Sequence, residues 1–340
     1  MDVNFAKIDW DRLNWTQCVP GQRQGHYESF YQRANHPTRP LAFWIRYTTF
    51  SPNDRPEAAI GELWAIFFDG ETGEHVVAKE EHPIAECDFA TRAFSARVKD
   101  SVLGPGSLKG QASSFGNTIG WNLTYSGDQQ PLFLLPHKLY SGNFPKAKSL
   151  VRLPLANYDG SLTVKGRDID VTNWLGSQNH NWGIRHTDYY AFGQVAGFDD
   201  DPDSFLEIIT AKIKVAGPVK TPFLTMLVLR HGGREYALTS ILDAVAKTQG
   251  RFHYFHWEFS ADADEVKLDG QINATPDAFV GLNYYNPPGG IKHCLNTKIG
   301  SCELTFLDKE TGQRHVLRTK HRALFEILTD DRTHGISIRA

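Results

Sequence analysis

Along most of the chain, apolar residues recur at every second position. In 118–125, Ile119, Trp121, Leu123 and Tyr125 share one face, and Thr118, Gly120, Asn122 and Thr124 the other. That alternation is the mark of a half-buried strand. Segments 41–50, 60–68, 189–198, 205–215, 223–230 and 252–259 are similarly rich in aromatic and β-branched residues, with Pro, Gly, Asn and Asp between them. Helical spacing is nearly absent; 239–248 is the best helical window, and it is short. Strands do not alternate with long helices, which disfavours a doubly wound α/β fold. The pattern predicts an all-β chain with fewer than about one residue in eight in α-helix.

A short internal echo bears on domain organisation. Asp69-Gly70-Glu71-Thr72-Gly73 follows the apolar run 62–68, and Asp308-Lys309-Glu310-Thr311-Gly312 follows 303–307. Each predicts a hairpin turn. Two related β-domains would explain the echo, and so would chance recurrence of turn-favoured residues. The Pro- and Gly-bearing stretch 131–157 reads as the linker region, dividing the chain into an N-terminal β-domain, 1–172, and a C-terminal one, 173–340. The length of 340 residues suits two domains.

Composition narrows the function classes. The 41% hydrophobic and 22% charged content exclude global disorder. With 36 Lys+Arg against 39 Asp+Glu, there is no basic footprint for nucleic acid. No apolar run approaches the length of a transmembrane helix, and 1–10, with Asp2, Lys7 and Asp9, has no apolar leader core. Cys18, Cys87, Cys294 and Cys302 form no C-x-x-C pair. They read as reduced thiols, giving a cytoplasmic expectation. The sequence carries no signal for oligomeric state.

The candidate chemistry is concentrated in Gly176-Ser177-Gln178-Asn179-His180-Asn181-Trp182-Gly183. An imidazole, three carboxamides and an indole between two glycines read either as a loop forming a site or as a β-corner around a Trp plug. Glu207 is the second candidate. It shares a face with Phe205, Ile209 and Ala211, so its carboxyl must be held protonated or be paired, with His180 or Arg230 as partner. No metal-ligand spacing emerges: His180 and His186 lie six apart, and His253 and His256 face opposite sides of a strand. The G-x-S-x-G elbow, the P-loop and the dinucleotide-binding glycine pattern are absent. No metal and no cofactor are expected.

The Gln178–Gly183 segment, followed by an aromatic strand and then Glu207, resembles the lipocalin-like family of AttH-like proteins and hydroxyneurosporene synthase (carotenoid 1,2-hydratase). Natural-product pericyclases with a similar D/N-H-N-W-G segment belong to the same group. The resemblance implies two calycin-type β-barrel or sandwich domains over nearly the whole chain. It also implies an apolar pocket between or within them, with His180 at its polar end. The function expected is a cofactor-independent lyase, hydratase or cyclase acting on a lipophilic, isoprenoid- or polyketide-like small molecule. In that reading Glu207 and His180 supply the acid and share a cavity with Trp182. Trp121, Trp182, Tyr190 and Phe192 line the pocket, Gln178, Asn179 and Asn181 place a carbonyl or water, and Arg230 lies beside Glu207. The alternative is a lipocalin-like carrier that binds such a molecule without turnover.

Overall fold

In the computed structural model, described for residues 9–142, 144–216 and 219–340, 60% of the chain is strand and 7% helix. Residues 1–8, most of the segment read as lacking a leader core, lie outside the described residues. The first sheet runs β4 (Val76–Pro83), β3 (Ile60–Asp69), β2 (Leu41–Ser51), β1 (His26–Asn35), β11 (Arg167–Gly183), β10 (Ala147–Val164), β9 (Asn117–Ser126), β8 (Ser107–Ser114), β7 (Ser101–Gly104), β6 (Ala96–Val98), β5 (Cys87–Phe89). The second runs β17 (Arg234–Leu238), β16 (Leu224–His231), β13 (Phe205–Lys212), β12 (Tyr189–Ala196), β23 (Arg314–Thr329), β22 (Ile291–Asp308), β20 (Val266–Asn273), β19 (His256–Asp262), β18 (Thr248–His253). Strand β21 (Val280–Tyr285) adds to β22, and β14 (Lys214–Ala216) pairs with β15 (Val219–Lys220). Pairing within both large sheets is antiparallel, and no helix among the described residues is long and apolar enough to cross a membrane.

The two large sheets share one plan. Read from β4 to β7, the first has the strand order that the second has from β17 to β18, position for position. In both, the central pair is long and broken by bulges: β10–β11 shifts register between Val151 and Ala156, and β22–β23 between Thr297 and Cys302. A bulge interrupts the period of two, which is why these four long strands escape a reading by alternation. The chain passes from one sheet to the other between Gly183 and Tyr189, so residue 172 lies inside β11. The stretch 131–157 is not a linker: Leu132 bridges to Val151, and β10 begins at Ala147. Asn143 of that stretch lies outside the described residues.

Both D-x-E-T-G segments are hairpin turns with one hydrogen-bonding scheme. Asp69 Oδ1 accepts from the backbone N–H of Glu71 and Thr72, and Asp308 Oδ1 from those of Glu310 and Thr311. Gly73 and Gly312 close the turns at φ of 74° and 72°, a region open to glycine. Yet the first turn joins β3 to β4 while the second joins β22 to β23, and these positions are not equivalent in the shared plan. The echo is therefore turn chemistry used twice. The likeness of the halves rests on strand order.

The segment 252–259 is also two strands, β18 and β19, because the chain reverses at Tyr254-Phe255 with Phe255 at φ 77°, a turn with no Gly, Pro or Asn to announce it. The one helical window holds the helix α1 (Ile241–Ala246), capped by Ser240. Each half has its own apolar core, one around Phe43, Tyr47, Trp121 and Tyr158, the other around Phe198, Trp257 and Phe325. Between them lies a third layer, where outer-face residues of β1–β4 and β11 meet those of β12, β13, β16 and β21–β23.

Candidate active site

The Gly176–Gly183 segment is the end of β11, not a loop. It is hydrogen-bonded between β1 and β10, with Gly176 opposite Ala34 and Ala156. A Cβ on Gly176 would stand 1.8 Å from the Arg33 carbonyl oxygen, so the glycine admits close strand approach rather than a turn. In a strand, successive side chains point to opposite faces. Gln178, His180 and Trp182 therefore enter the first half, while Ser177, Asn179 and Asn181 face the second sheet.

On the inner face, His180 is fully buried between Phe30 and Trp182, with ring centroids at 4.2 and 4.5 Å. Its Nε2 lies 2.7 Å from Glu28 Oε1 and its Nδ1 3.1 Å from the Leu13 carbonyl. Both partners are acceptors, so both ring nitrogens donate and His180–Glu28 is an ion pair. Glu28 also meets His26 at 3.0 Å and accepts the backbone N–H of Gln17 and Cys18. Burial by itself raises the Glu28 carboxyl, but the hydrogen bonds and attraction of His180 and His26 win and bring it down to about 2. The pair anchors the segment preceding β1, since Leu13, Gln17 and Cys18 all bind it.

The outer face does different work. Gln194 on β12 is opposite Glu207 on β13, and its amide donates to Glu207 Oε2 at 2.9 Å and to Asn179 Oδ1 at 2.9 Å. Gln194 Oε1 accepts from Ser177 at 2.6 Å and from Arg33 at 3.0 Å. Glu207 is 1% exposed. Burial pushes its carboxyl up to about 7, against the Gln194 hydrogen bond and the Arg33 and Arg230 guanidiniums, which lower it. Around it stand Phe205, Ala196, Val228, Leu132, Leu134 and Val151, drawn from both halves. Tyr31, Asn181, Tyr190, Phe192, Ile209 and Met226 project into this same layer and are only partly buried.

The expected His180–Glu207 dyad does not form. His180 leaves β11 on the face opposite the one toward Glu207, and each has another partner, Glu28 and Gln194. Trp182 and Gln178 stay with His180: Trp182 packs on Leu150 and Tyr140, and Gln178 donates to Asn14. Trp121 belongs to the first core and donates to Tyr47 Oη. Arg230 binds Glu235 and the carbonyls of Gln130 and Pro131, not Glu207. Asn179, Asn181, Tyr190, Phe192 and Glu207 do share one layer. Sequence reasoning missed Glu28, Arg33 and Gln194. Strand β1 is buried on both faces, so His26-Tyr-Glu-Ser-Phe-Tyr-Gln-Arg-Ala-Asn35 shows no alternation to flag it.

Among the described residues, no three His, Cys, Asp or Glu side chains converge as a metal-ligand set. Cavities of about 430 Å³, between Arg39 and Trp174, and about 580 Å³, between Trp10 and Leu153, lie elsewhere and are lined by neither Glu28 nor Glu207.

No protein-family model matches the chain. Two Mycobacterium tuberculosis sequences, from different strains and both described as uncharacterized, are each 23% identical over 299 residues, 87% of this chain and 85% of theirs. Three solved structures are similar in fold. An AttH-like protein from Nitrosomonas europaea has a TM-score of 0.56 at 13% identity, covering 92% of this chain and 98% of that one. Kievitone hydratase from Nectria haematococca has a TM-score of 0.56 at 12% identity, covering 90% and 89%. CghA has a TM-score of 0.52 at 11% identity, covering 93% of each. The chain thus has the fold of these proteins over nearly its whole length, as the resemblance seen in Gln178–Gly183 led one to expect.

Proposed function

We propose that this protein is a cofactor-independent hydratase, lyase or cyclase that protonates a lipophilic, isoprenoid- or polyketide-like substrate from Glu207 in the layer between the two sheets. The observation that carries the reading is the placement of Glu207, a buried carboxyl beside the apolar layer between the sheets whose one side-chain hydrogen bond among the described residues comes from Gln194. Burial pushes it up to about 7, which suits an acid that still holds a proton near neutral pH. In a hydration, the Glu207 proton forms a C–H bond at one alkene carbon and the other becomes cationic. Water adds its oxygen there and returns a proton to the carboxylate, so the acid is regenerated. Tyr31, Tyr190 and Phe192 offer aromatic faces to the cation, and Asn179 and Asn181 face the same layer to hold the water. In a cyclisation, an internal alkene or hydroxyl takes the place of water. His180 leaves the acid role and acts through Glu28 on the segment before β1. That an AttH-like protein and a hydratase share the fold agrees with this reading.

The test is incubation with a panel of polyprenyl and polyketide compounds in ¹⁸O-water, followed by mass spectrometry. A product with added labelled water, or an isomer of the substrate, is expected, and Glu207→Gln should lower its rate about 10²–10⁴-fold. Compounds retained but chemically unchanged would support the carrier instead.

A further inference from the structure

A second group in the layer between the sheets has no hydrogen-bond partner among the described residues. Arg46, on the outer face of β2, is 4% exposed, and its guanidinium donates to no acceptor among the described residues; its Nε–H is sealed from solvent without a partner. Burying an unbonded cationic donor is costly. Burial disfavours the charge, and Tyr284, Glu62 and Glu326 nearby more than offset it. Aromatic faces surround it: the guanidinium carbon lies 4.6 Å from the Tyr284 ring centroid, 5.7 Å from that of Trp44 and 5.9 Å from that of Trp64.

The neighbouring carboxylates are already engaged. Glu62 meets Lys79 at 2.9 Å. Glu326 accepts Tyr190 Oη at 2.6 Å on one oxygen and Asn296 Nδ2 at 3.1 Å on the other. Arg33, the other guanidinium of the layer, also bonds only neutral acceptors: Gln194, Asn35 and the Arg322 carbonyl. Neither carboxylate hydrogen-bonds Arg46, so among the described residues its guanidinium lies in an aromatic box without a hydrogen-bond partner.

We infer that Arg46 is the anchor for a planar oxyanion, a carboxylate or enolate, carried by the lipophilic molecule that enters this layer. A guanidinium fork matches such a group with two parallel N–H···O bonds. The apolar remainder would lie along Tyr31, Tyr190 and Phe192 toward Glu207. The inference rests on the proposed pocket and narrows its substrate class to lipophilic acids or acidic dicarbonyl compounds.

Titration calorimetry of the full chain with dodecanoate and with dodecan-1-ol at pH 8 tests it. Dodecanoate should bind roughly 10–100-fold more tightly, the range of charge-assisted hydrogen bonds. Arg46→Met should abolish the difference, and Arg46→Lys should keep part of it. If Arg46→Met does not fold, the Arg46 Nε–H resonance of arginine-labelled wild type, assigned with Arg46→Lys, should move with dodecanoate and stay put with dodecanol. Equal affinity for the two ligands would overturn the anchor and leave the apolar pocket standing. A preference for the acid that survives in Arg46→Met would place the anchor elsewhere and overturn it too. Binding of neither ligand would overturn both the anchor and the pocket of the proposed function.

Discussion

Gln194 and Glu207 face each other across β12 and β13, and the Gln194 amide, donating at 2.9 Å, is the one side-chain hydrogen bond of the Glu207 carboxyl among the described residues. Through the same amide group Gln194 reaches Asn179 on β11, so one side chain joins the second sheet's acid to the motif of the first.

Glu207→Gln should change stability in a pH-dependent way. The folded carboxyl, near 7, lies above its ordinary value of 4.5, so the folded state binds the extra proton. Its contribution is complete below about 4.5 and is lost as pH rises through about 7. The variant keeps the shape and cannot ionise. Its Tm difference from wild type should be near zero at pH 4.5 and grow in the variant's favour up to pH 8. A flat difference across that range would contradict the protonated carboxyl.

Removing Gln194's amide should raise the Glu207 carboxyl further. Gln194 supplies the hydrogen bond that lowers it against burial. In Gln194→Leu the protonated-carboxyl stretch, followed by infrared difference spectroscopy against pH, should persist to higher pH than in wild type. Leaving Ser177, Asn179 and Arg33 short of a partner should also cost about 1–3 kcal/mol in chemical denaturation.

His180→Ala should act first on stability. It strips one partner from a fully buried ion pair and leaves Glu28 facing His26 and two backbone N–H groups. Breaking such a pair costs about 3–5 kcal/mol. The loss should appear as a lower denaturant midpoint and as faster amide exchange at Gln17 and Cys18. A variant as stable as wild type would show that the pair does not hold the N-terminal segment.

The twin turns give an internal control. Asp308→Ala removes the acceptor of two backbone N–H groups and also takes the Oδ2 acceptor from buried Tyr236 Oη and from Arg234, which keeps Glu310. Asp69→Ala loses the same two backbone bonds and only a largely exposed Arg167. Both should destabilise, Asp308→Ala by about 1 kcal/mol more, since an exposed ion pair contributes little. Equal losses would mean that the Tyr236 hydrogen bond contributes nothing net.

Much of the fold was legible in the sequence, and the reason is local. Alternation over 118–125 fixes strand and buried face together, aromatic and β-branched content marks 41–50 and 60–68 as strands, and Asp and Gly at set offsets fix the two turns wherever they occur. The burial of Glu207 was equally plain, since Phe205, Ile209 and Ala211 share its face and an apolar setting raises a carboxyl. The sequence also picks out Gln178–Gly183 as unusual, because no ordinary strand needs so many polar groups. What period two cannot say is which structure each face meets. The parity that sends His180 into the first half and Asn179 toward the second sheet is visible, but Glu28 and Gln194 lie on strands 152 and 15 residues away, and only the pairing of β1 with β11 and the stacking of the two sheets bring them in. Tertiary structure alone decided the partners, the bulged long strands and the isolation of Arg46, since each depends on contacts between residues far apart in sequence.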